Sequence, residues 1–340
     1  MSDNKNIRVG IIGGAGYTGG ELIRLLLNHP QVDIEFVNSS SNAGKPIHSI
    51  HHDLLGETDL IFADSRSYPP GNWGIDILFL CVGHGDAKKF LEGNEIDEKI
   101  KIIDLSQDFR LTQNATFKGR NFVYGLPELQ REKIRTAKNI ANPGCFATAI
   151  QLGLLPLAKA GILETVSTTG ITGSTGAGQG LTPTSHFSWR ANNIQAYKTL
   201  THQHLDEIHQ SLHQLQNRFP NSPSEDGSLG FVPWRGDFTR GIFISSQVSC
   251  DWKIEKLIEL YKEFYLDHPF TLLSEEPIFL KQVINTNKCV IQLEKAGKKL
   301  VIHSAIDNLL KGASGQAVQN MNLVSGIDEC TGLNLKAVGF

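Results

Sequence analysis

One segment, residues 7–38, limits what this chain can fold into more than any other. IRVGII, Ile7–Ile12, is a short apolar run rich in β-branched residues. A glycine cluster follows at 13–20, and ELIRLLLNHP then has helical character as far as Pro30. VDIEFVN, Val32–Asn38, is a second strand pattern. Strand, glycine turn, helix and strand in that order make a βαβ unit. Further strand patterns lie at 60–63, 75–82 and 101–105, with a helix pattern near 86–91. Strands alternating with helices predict an α/β protein with a doubly wound parallel sheet.

The pattern changes at Cys145. CFATAIQLGLLPLAKAGIL reads as a helix, bent or ended near Pro156. A Gly/Ser/Thr-rich loop is expected at 169–180. Leu205, Ile208, Leu212, Leu215 and Phe219 recur at helical spacing, which predicts an amphipathic helix ended by Pro220. FPNSPSEDGS, 219–228, reads as an exposed loop. RGIFISSQVSC reads as a strand, KIEKLIELYKEFY as a helix, and CVIQLEKAGKKLVIHSAID as two strands about a turn at Ala296 and Gly297. A last helix pattern covers 315–323. A chain of 340 residues is long enough for two units of roughly 100–200 residues each, here a nucleotide domain and then an α+β domain.

Composition narrows the function classes. The formal charge is −3, with no long Lys/Arg run, so no nucleic-acid partner is expected. The apolar runs fall short of the ~20 residues that span a bilayer, so no membrane partner is expected either. MSDNKNIRVGII lacks a basic segment followed by an apolar core, so no signal peptide is expected. The cysteines are Cys81, Cys145, Cys250, Cys289 and Cys330, odd in number, widely spaced and without CxxC. This argues against a disulfide framework or a zinc site, and for a reducing cytoplasm. His48, His51 and His52 cluster without metal-ligand spacing, and no metal is expected.

Gly13, Gly16 and Gly19 give G-x-x-G-x-x-G between strand and helix. In that context the first glycine permits the turn, the second lets backbone approach a pyrophosphate, and the third permits close helix packing. The helix start offers unpaired N–H groups and a positive dipole end to the anion. An NAD-specific domain usually ends its second strand with an acid for the ribose. Here NSSSNAGK follows, with Ser39, Ser40, Ser41 and Lys45 able to donate to a 2′-phosphate, so NADP is the expected cofactor.

ANPGCFATAI sets Cys145 after Pro143 and Gly144, at the start of the apolar helix. A helix N-terminus stabilises a thiolate and can hold a developing oxyanion. The local context alone admits either a nucleophile or a buried helix-start cysteine. A nucleophile needs a base, and THQHLDEIHQ supplies His202, His204 and Glu207. His204 and Glu207, three apart, share a helix face, where a carboxylate can fix an imidazole. A solvated polar face is the competing reading, and His209 and His213 are assigned to it.

GGAGYTGGEL, IDLSQDFRL, YGLPEL, NPGCFAT, THQH with Glu207, and DNLLKGASGQAVQNMN occur in this order over nearly the whole chain. Together they resemble the N-acetyl-γ-glutamyl-phosphate reductase family of arginine biosynthesis. The resemblance implies NADPH-dependent reduction of an acyl phosphate to an aldehyde and phosphate through a Cys145 thioester. It implies a Rossmann-type domain over 1–144, completed by a C-terminal helix at about 312–340. An α+β catalytic and oligomerisation domain is implied over 145–311, in homodimers or homotetramers. His204 is then the acid/base, Glu207 its orienting partner, and His202 a substrate contact. Arg110 is the candidate cation for the phosphate, and Ser174, Thr175 and Tyr197 are candidate substrate contacts. Tyr17 and Thr18, in the glycine motif, join Gly13, Gly16, Gly19, Ser39, Ser41 and Lys45 as cofactor contacts. Asn308 and Gly315 are implied near the nicotinamide. The chain departs from the family pattern at Ser40, Gln203, Trp234 and Arg235, and the proline frequently found before the histidine of VGHG is missing. An aminoadipyl-phosphate reductase, an aspartate-semialdehyde dehydrogenase and a dinucleotide-binding regulator without catalysis are the alternatives.

Overall fold

Ile7–Ile12 and its neighbours are covered on both faces, so they read as continuous apolar runs and not as alternations. The computed structural model describes residues 6–64, 73–219 and 227–339. The chain divides into one unit of Met1–Pro143 with Ala313–Asn334 and a second of Gly144–Gly312 with Leu335–Phe340. Among the described residues the first unit holds β1 (Ile7–Ile12), β2 (Val32–Asn38), β3 (Phe62–Ala63), β4 (Ile77–Leu80), β5 (Lys101–Asp104), β6 (Thr116–Phe117), β7 (Arg120–Tyr124) and β8 (Asn139–Ala141). They form one sheet in the order β3-β2-β1-β4-β5-β8-β7-β6, parallel except for the β6–β7 pair. The order reverses between β1 and β4, the place where doubly wound sheets bind ligands. Helices α1 (Tyr17–Leu27), α2 (Asp86–Gly93) and α3 (Pro127–Thr136) connect these strands. The sequence patterns had not separated β6, β7, α3 and β8, because they are short or strongly polar.

The second unit begins with α4 (Cys145–Lys159), followed by β9 (Val166–Thr172), α5 (Phe187–Arg190), β10 (Gln195–Ala196), α6 (His204–Leu215), β11 (Leu229–Arg235), β12 (Ile242–Ser249), α7 (Ile254–Phe264), β13 (Thr271–Ser274), β14 (Cys289–Ala296) and β15 (Lys299–Ile306). Its mixed sheet runs β10-β11-β9-β12-β15-β14-β13. The expected fold class, a doubly wound sheet with an α+β partner, is the one observed. Four local expectations are corrected, the last of them at the helix expected to end at Pro220. The loop expected at 169–180 begins only after Thr172, because β9 pairs as far as that residue with both β11 and β12. His209 is buried against Phe219 and His213, not on a solvated face. Helix α4 continues through Pro156 to Lys159.

Proline at 156 has no N–H for the Leu152 carbonyl, and its ring pushes against that carbonyl. The Tyr265 hydroxyl donates to Leu152 O, and the Tyr261 hydroxyl donates to Gly153 O at 2.5 Å. Two tyrosines, one in α7 and one just after it, thus satisfy the part of the helix that proline disrupts. Ser304 Oγ in β15 adds a bond to Ala149 O at 2.7 Å. The helix expected to end at Pro220 ends at Leu215; Pro220 and most of the expected loop at 219–228 lie outside the described residues.

The last helix, α8 (Gly315–Val324), belongs to the first unit and packs on α1 and α3. All ten of its residues are buried, although four are Gln or Asn. The amide nitrogens of Gln319, Asn320 and Asn322 donate within the unit. Asn320 Nδ2 donates to Gly125 O and Asn142 Oδ1, and Asn322 Oδ1 meets His29 Nε2 at 3.0 Å.

Candidate active site

In the first unit the glycine turn is built by close approach. Gly13 has φ +82°, and a Cβ there would lie 2.4 Å from Cys81 O. A Cβ on Gly19 would lie 2.7 Å from Gly13 O. A Cβ on Gly16 would meet nothing nearer than Gly13 O at 3.8 Å, so this glycine leaves the mouth of the turn bare. Tyr17 and Thr18 open α1; Tyr17 is exposed, while Thr18 bonds the Cys81 thiol and accepts from Ser314 Oγ through its carbonyl. Burial, and then the Asp104 charge, push the Cys81 thiol up to about 12, which leaves it unreactive. His51 accounts for one member of the histidine cluster. Its Nε2 meets Gly14 O at 2.7 Å, and its ring lies where a Cβ of Gly20 would be.

At the end of β2 the side chains of Ser39, Ser41, Asn42 and Lys45 converge. Asn42 Nδ2 donates to both serine hydroxyls at 3.2 Å, and Lys45 Nζ donates to Asn42 Oδ1. Asn42 is the organiser of this loop, and only the folded loop reveals it. The bare turn, the open helix start and this acid-free donor cluster fit a dinucleotide.

In DLSQDFR, Asp104 is fully buried at the end of β5 and accepts from Ser106 N and Ser106 Oγ. Burial outweighs these bonds and the nearby Arg110 charge, and its carboxyl rises to about 7. Arg110 is buried too, with Nε donating to Asn142 O at 2.8 Å and Nη2 to Leu105 O at 2.9 Å. Its guanidinium therefore holds main chain.

In the second unit Cys145 is the first residue of α4. Gly144, the N-cap, gives its N–H to Glu207 Oε2 at 3.0 Å. The other oxygen, Oε1, stands 3.9 Å from His204 Nε2. Glu207 thus ties the start of α4 to the first turn of α6. A Cβ on Gly144 would lie 2.4 Å from His204 Nε2, so the imidazole rests on this glycine, one residue from the nucleophile candidate. Gly312 closes in on another side, where a Cβ would lie 2.8 Å from Cys145 Cβ.

His202 packs beside His204 with ring centroids 4.6 Å apart, between Phe146, Phe231 and Tyr197. Burial, then the charges of Lys198 and Arg235, lower its pKa to about 4. Its Nδ1 accepts from the main-chain N–H of His204 at 3.2 Å. Tyr197 stacks under the Arg235 guanidinium at 4.7 Å. Burial, then the charge at Cys145, raise its phenol.

The loop after β9 is knit to 236–241. Ser174 N donates to Phe238 O, and Thr175 donates twice to Thr239 O. Asn308 joins them, with Nδ2 to Thr175 Oγ1 at 3.0 Å and Oδ1 accepting from Gly241 N at 2.7 Å. Gly315 opens α8 in the first unit. Arg235, Gly312 and the Arg240–Asp307 ion pair complete the surroundings, and spacing in the sequence gave no signal for the last two. No group of three His, Cys, Asp or Glu among the described residues could hold a metal, and no described helix is long and apolar enough to cross a membrane.

These two units are of the semialdehyde dehydrogenase class. The family model for the semialdehyde dehydrogenase NAD binding domain matches residues 8–137, and that for the dimerisation domain matches residues 145–308. The structure of aspartate semialdehyde dehydrogenase II from Vibrio cholerae, complexed with ASA, superposes with a TM-score of 0.70 at 16% identity, over 95% of this chain and 99% of that one. The NADP complex of aspartate semialdehyde dehydrogenase from Candida albicans gives 0.66 at 14%, over 94% and 99%. These two share the fold. The sequences divide the class more finely. The N-acetyl-gamma-glutamyl-phosphate reductases of Phocaeicola vulgatus and Bacteroides thetaiotaomicron are 54% and 55% identical, each over 98% of this chain and 100% of the relative. That of Flavobacterium johnsoniae is 53% identical over the same shares. The chain belongs to the N-acetyl-gamma-glutamyl-phosphate reductase family of oxidoreductases.

Proposed function

We propose that this chain reduces N-acetyl-γ-glutamyl phosphate with NADPH, yielding N-acetylglutamate 5-semialdehyde and phosphate in arginine biosynthesis. The observation that carries the reading is the convergence of His204 and Glu207 on Gly144, beside Cys145 at the start of α4. His204 takes the Cys145 proton. The thiolate attacks the γ-carbonyl, phosphate departs, and a thioester remains on Cys145. The N–H groups at the start of α4 face the tetrahedral oxygen. NADPH, when held by the first unit, would supply the hydride for the thioester carbon. The thiohemiacetal then collapses to the aldehyde, and His204 returns its proton to the sulfur. Glu207 fixes the imidazole, and His202, held neutral, contacts substrate with Tyr197, Ser174 and Thr175. Arg110 is the cation proposed for the phosphate, its position fixed by two carbonyls. Gly13, Gly16, Tyr17, Thr18 and Gly19 would hold the pyrophosphate, and the family resemblance assigns Asn308 and Gly315 to the nicotinamide end. Ser39, Ser41 and Lys45, in a loop without an acid, support NADP over NAD. We infer a cytoplasmic homodimer or homotetramer, in keeping with the dimerisation-domain match.

The reverse reaction tests this. Enzyme, NADP, inorganic phosphate and N-acetylglutamate semialdehyde are expected to produce NADPH only when phosphate is present. Cys145→Ser is expected to lose turnover and keep NADPH binding. Phosphate-independent NADPH formation, or full activity in Cys145→Ser, rejects the thioester route.

A further inference from the structure

Arg190, the last residue of α5, and Arg235, the last of β11, are half-buried neighbours of like charge. Arg190 spends Nη2 on Gly236 O. Its Nε and Nη1, and Nε of Arg235, are buried without a hydrogen-bond partner. Burial first, and then the Arg235 charge, weaken Arg190's hold on its proton, and Asp237 opposes them. The Asp237 carboxylate also accepts from Asn192 N at 2.6 Å. A buried N–H donor left unpaired is costly, the more so on a charged group. Two such cations side by side against one carboxylate are arranged for an anion, and planar guanidinium forks suit a carboxylate.

The position of the pair says which anion. Arg235 covers the Tyr197 ring and its charge reaches His202, while the Tyr197 phenol feels the charge of Cys145. The arginines thus lie on the Tyr197 and His202 flank of the nucleophile. We propose that Arg190 and Arg235 form the subsite for the carboxylate that the substrate carries away from its reacting carbonyl. This rests on the substrate class proposed above. The subsite selects a chain that ends in a charged head and rejects the same chain without it.

Calorimetric titration with N-acetylglutamate and with its α-amide tests the subsite without turnover. Wild-type protein is expected to bind the acid about 10–100-fold more tightly than the amide, as for hydrogen bonds to a charged group. Arg235→Met and Arg190→Met are expected to weaken the acid by that factor and leave the amide unchanged, with NADPH affinity retained as the check on folding. In the reverse reaction the same variants are expected to raise the semialdehyde KM more than they lower kcat. Equal binding of acid and amide by wild type, no binding of either, or unchanged discrimination in both variants overturns the subsite. Absence of phosphate-dependent turnover with the discrimination intact counts instead against the proposed reaction.

Discussion

At the scale of single residues, the two histidines of THQH are separated by their surroundings. His202 is held neutral down to about pH 4 by burial and by Lys198 and Arg235, and its Nδ1 is an acceptor. A proton carrier near neutral pH must be able to take the proton, which favours His204 over His202 in the proposed reaction. His204→Asn is expected to lower kcat by roughly 10²–10⁴-fold, while His202→Asn mainly raises KM; steady-state kinetics that reverse this order exchange the two roles. His202 also leaves a mark on stability. Its folded pKa lies below the unfolded value near 6.5, so the unfolded chain takes up the proton first as pH falls. Stability is therefore lost from about pH 6.5 down to about 4. His202→Gln is expected to flatten that decline in urea unfolding, and an unchanged slope counts against the buried neutral ring.

At the scale of elements, α4 both carries the proposed nucleophile and anchors the second unit. Its start is fixed by Glu207 from α6, and its proline turn by two tyrosines. Tyr265→Phe leaves the Leu152 carbonyl without its donor, and a stability loss of about 1–3 kcal/mol is expected by denaturant titration. Gly144→Ala puts a methyl group into the His204 ring. Displacing a catalytic group by about 1 Å can cost on the order of 100-fold, so kcat is expected to fall by that order with NADPH binding kept. A variant with normal kcat would show that the ring is not needed there. The sequence revealed that a helix starts at Cys145, because the apolar run is long. It did not reveal that the helix survives Pro156, because the compensating hydroxyls come from Tyr261 and Tyr265, more than a hundred residues away.

At the scale of the whole molecule, the first unit is assembled from both ends of the sequence. Every residue of α8 is buried, and its amides bond to Gly125, Asn142 and His29. A chain stopped after Gly312 is expected to lose NADPH binding and the cooperative unfolding of the first unit, read by circular dichroism and cofactor titration. Retention of both would mean that α8 is dispensable. α8 reads as polar and amphipathic, so periodicity gives its helical state but not its partner.

The sequence by itself determined the βαβ start, the parallel sheet and the helix that starts at Cys145. Each of these rests on local signals: glycine where φ is positive or backbones touch, apolar runs in covered strands, and the long apolar run from Cys145. Only the tertiary structure decided that Gly144 is the floor under His204 and that Glu207 holds the start of α4. The pairing of Arg190 with Arg235 also needed the fold. These are contacts between segments far apart in the chain, and their energy comes from burial and from hydrogen bonds that no local pattern encodes.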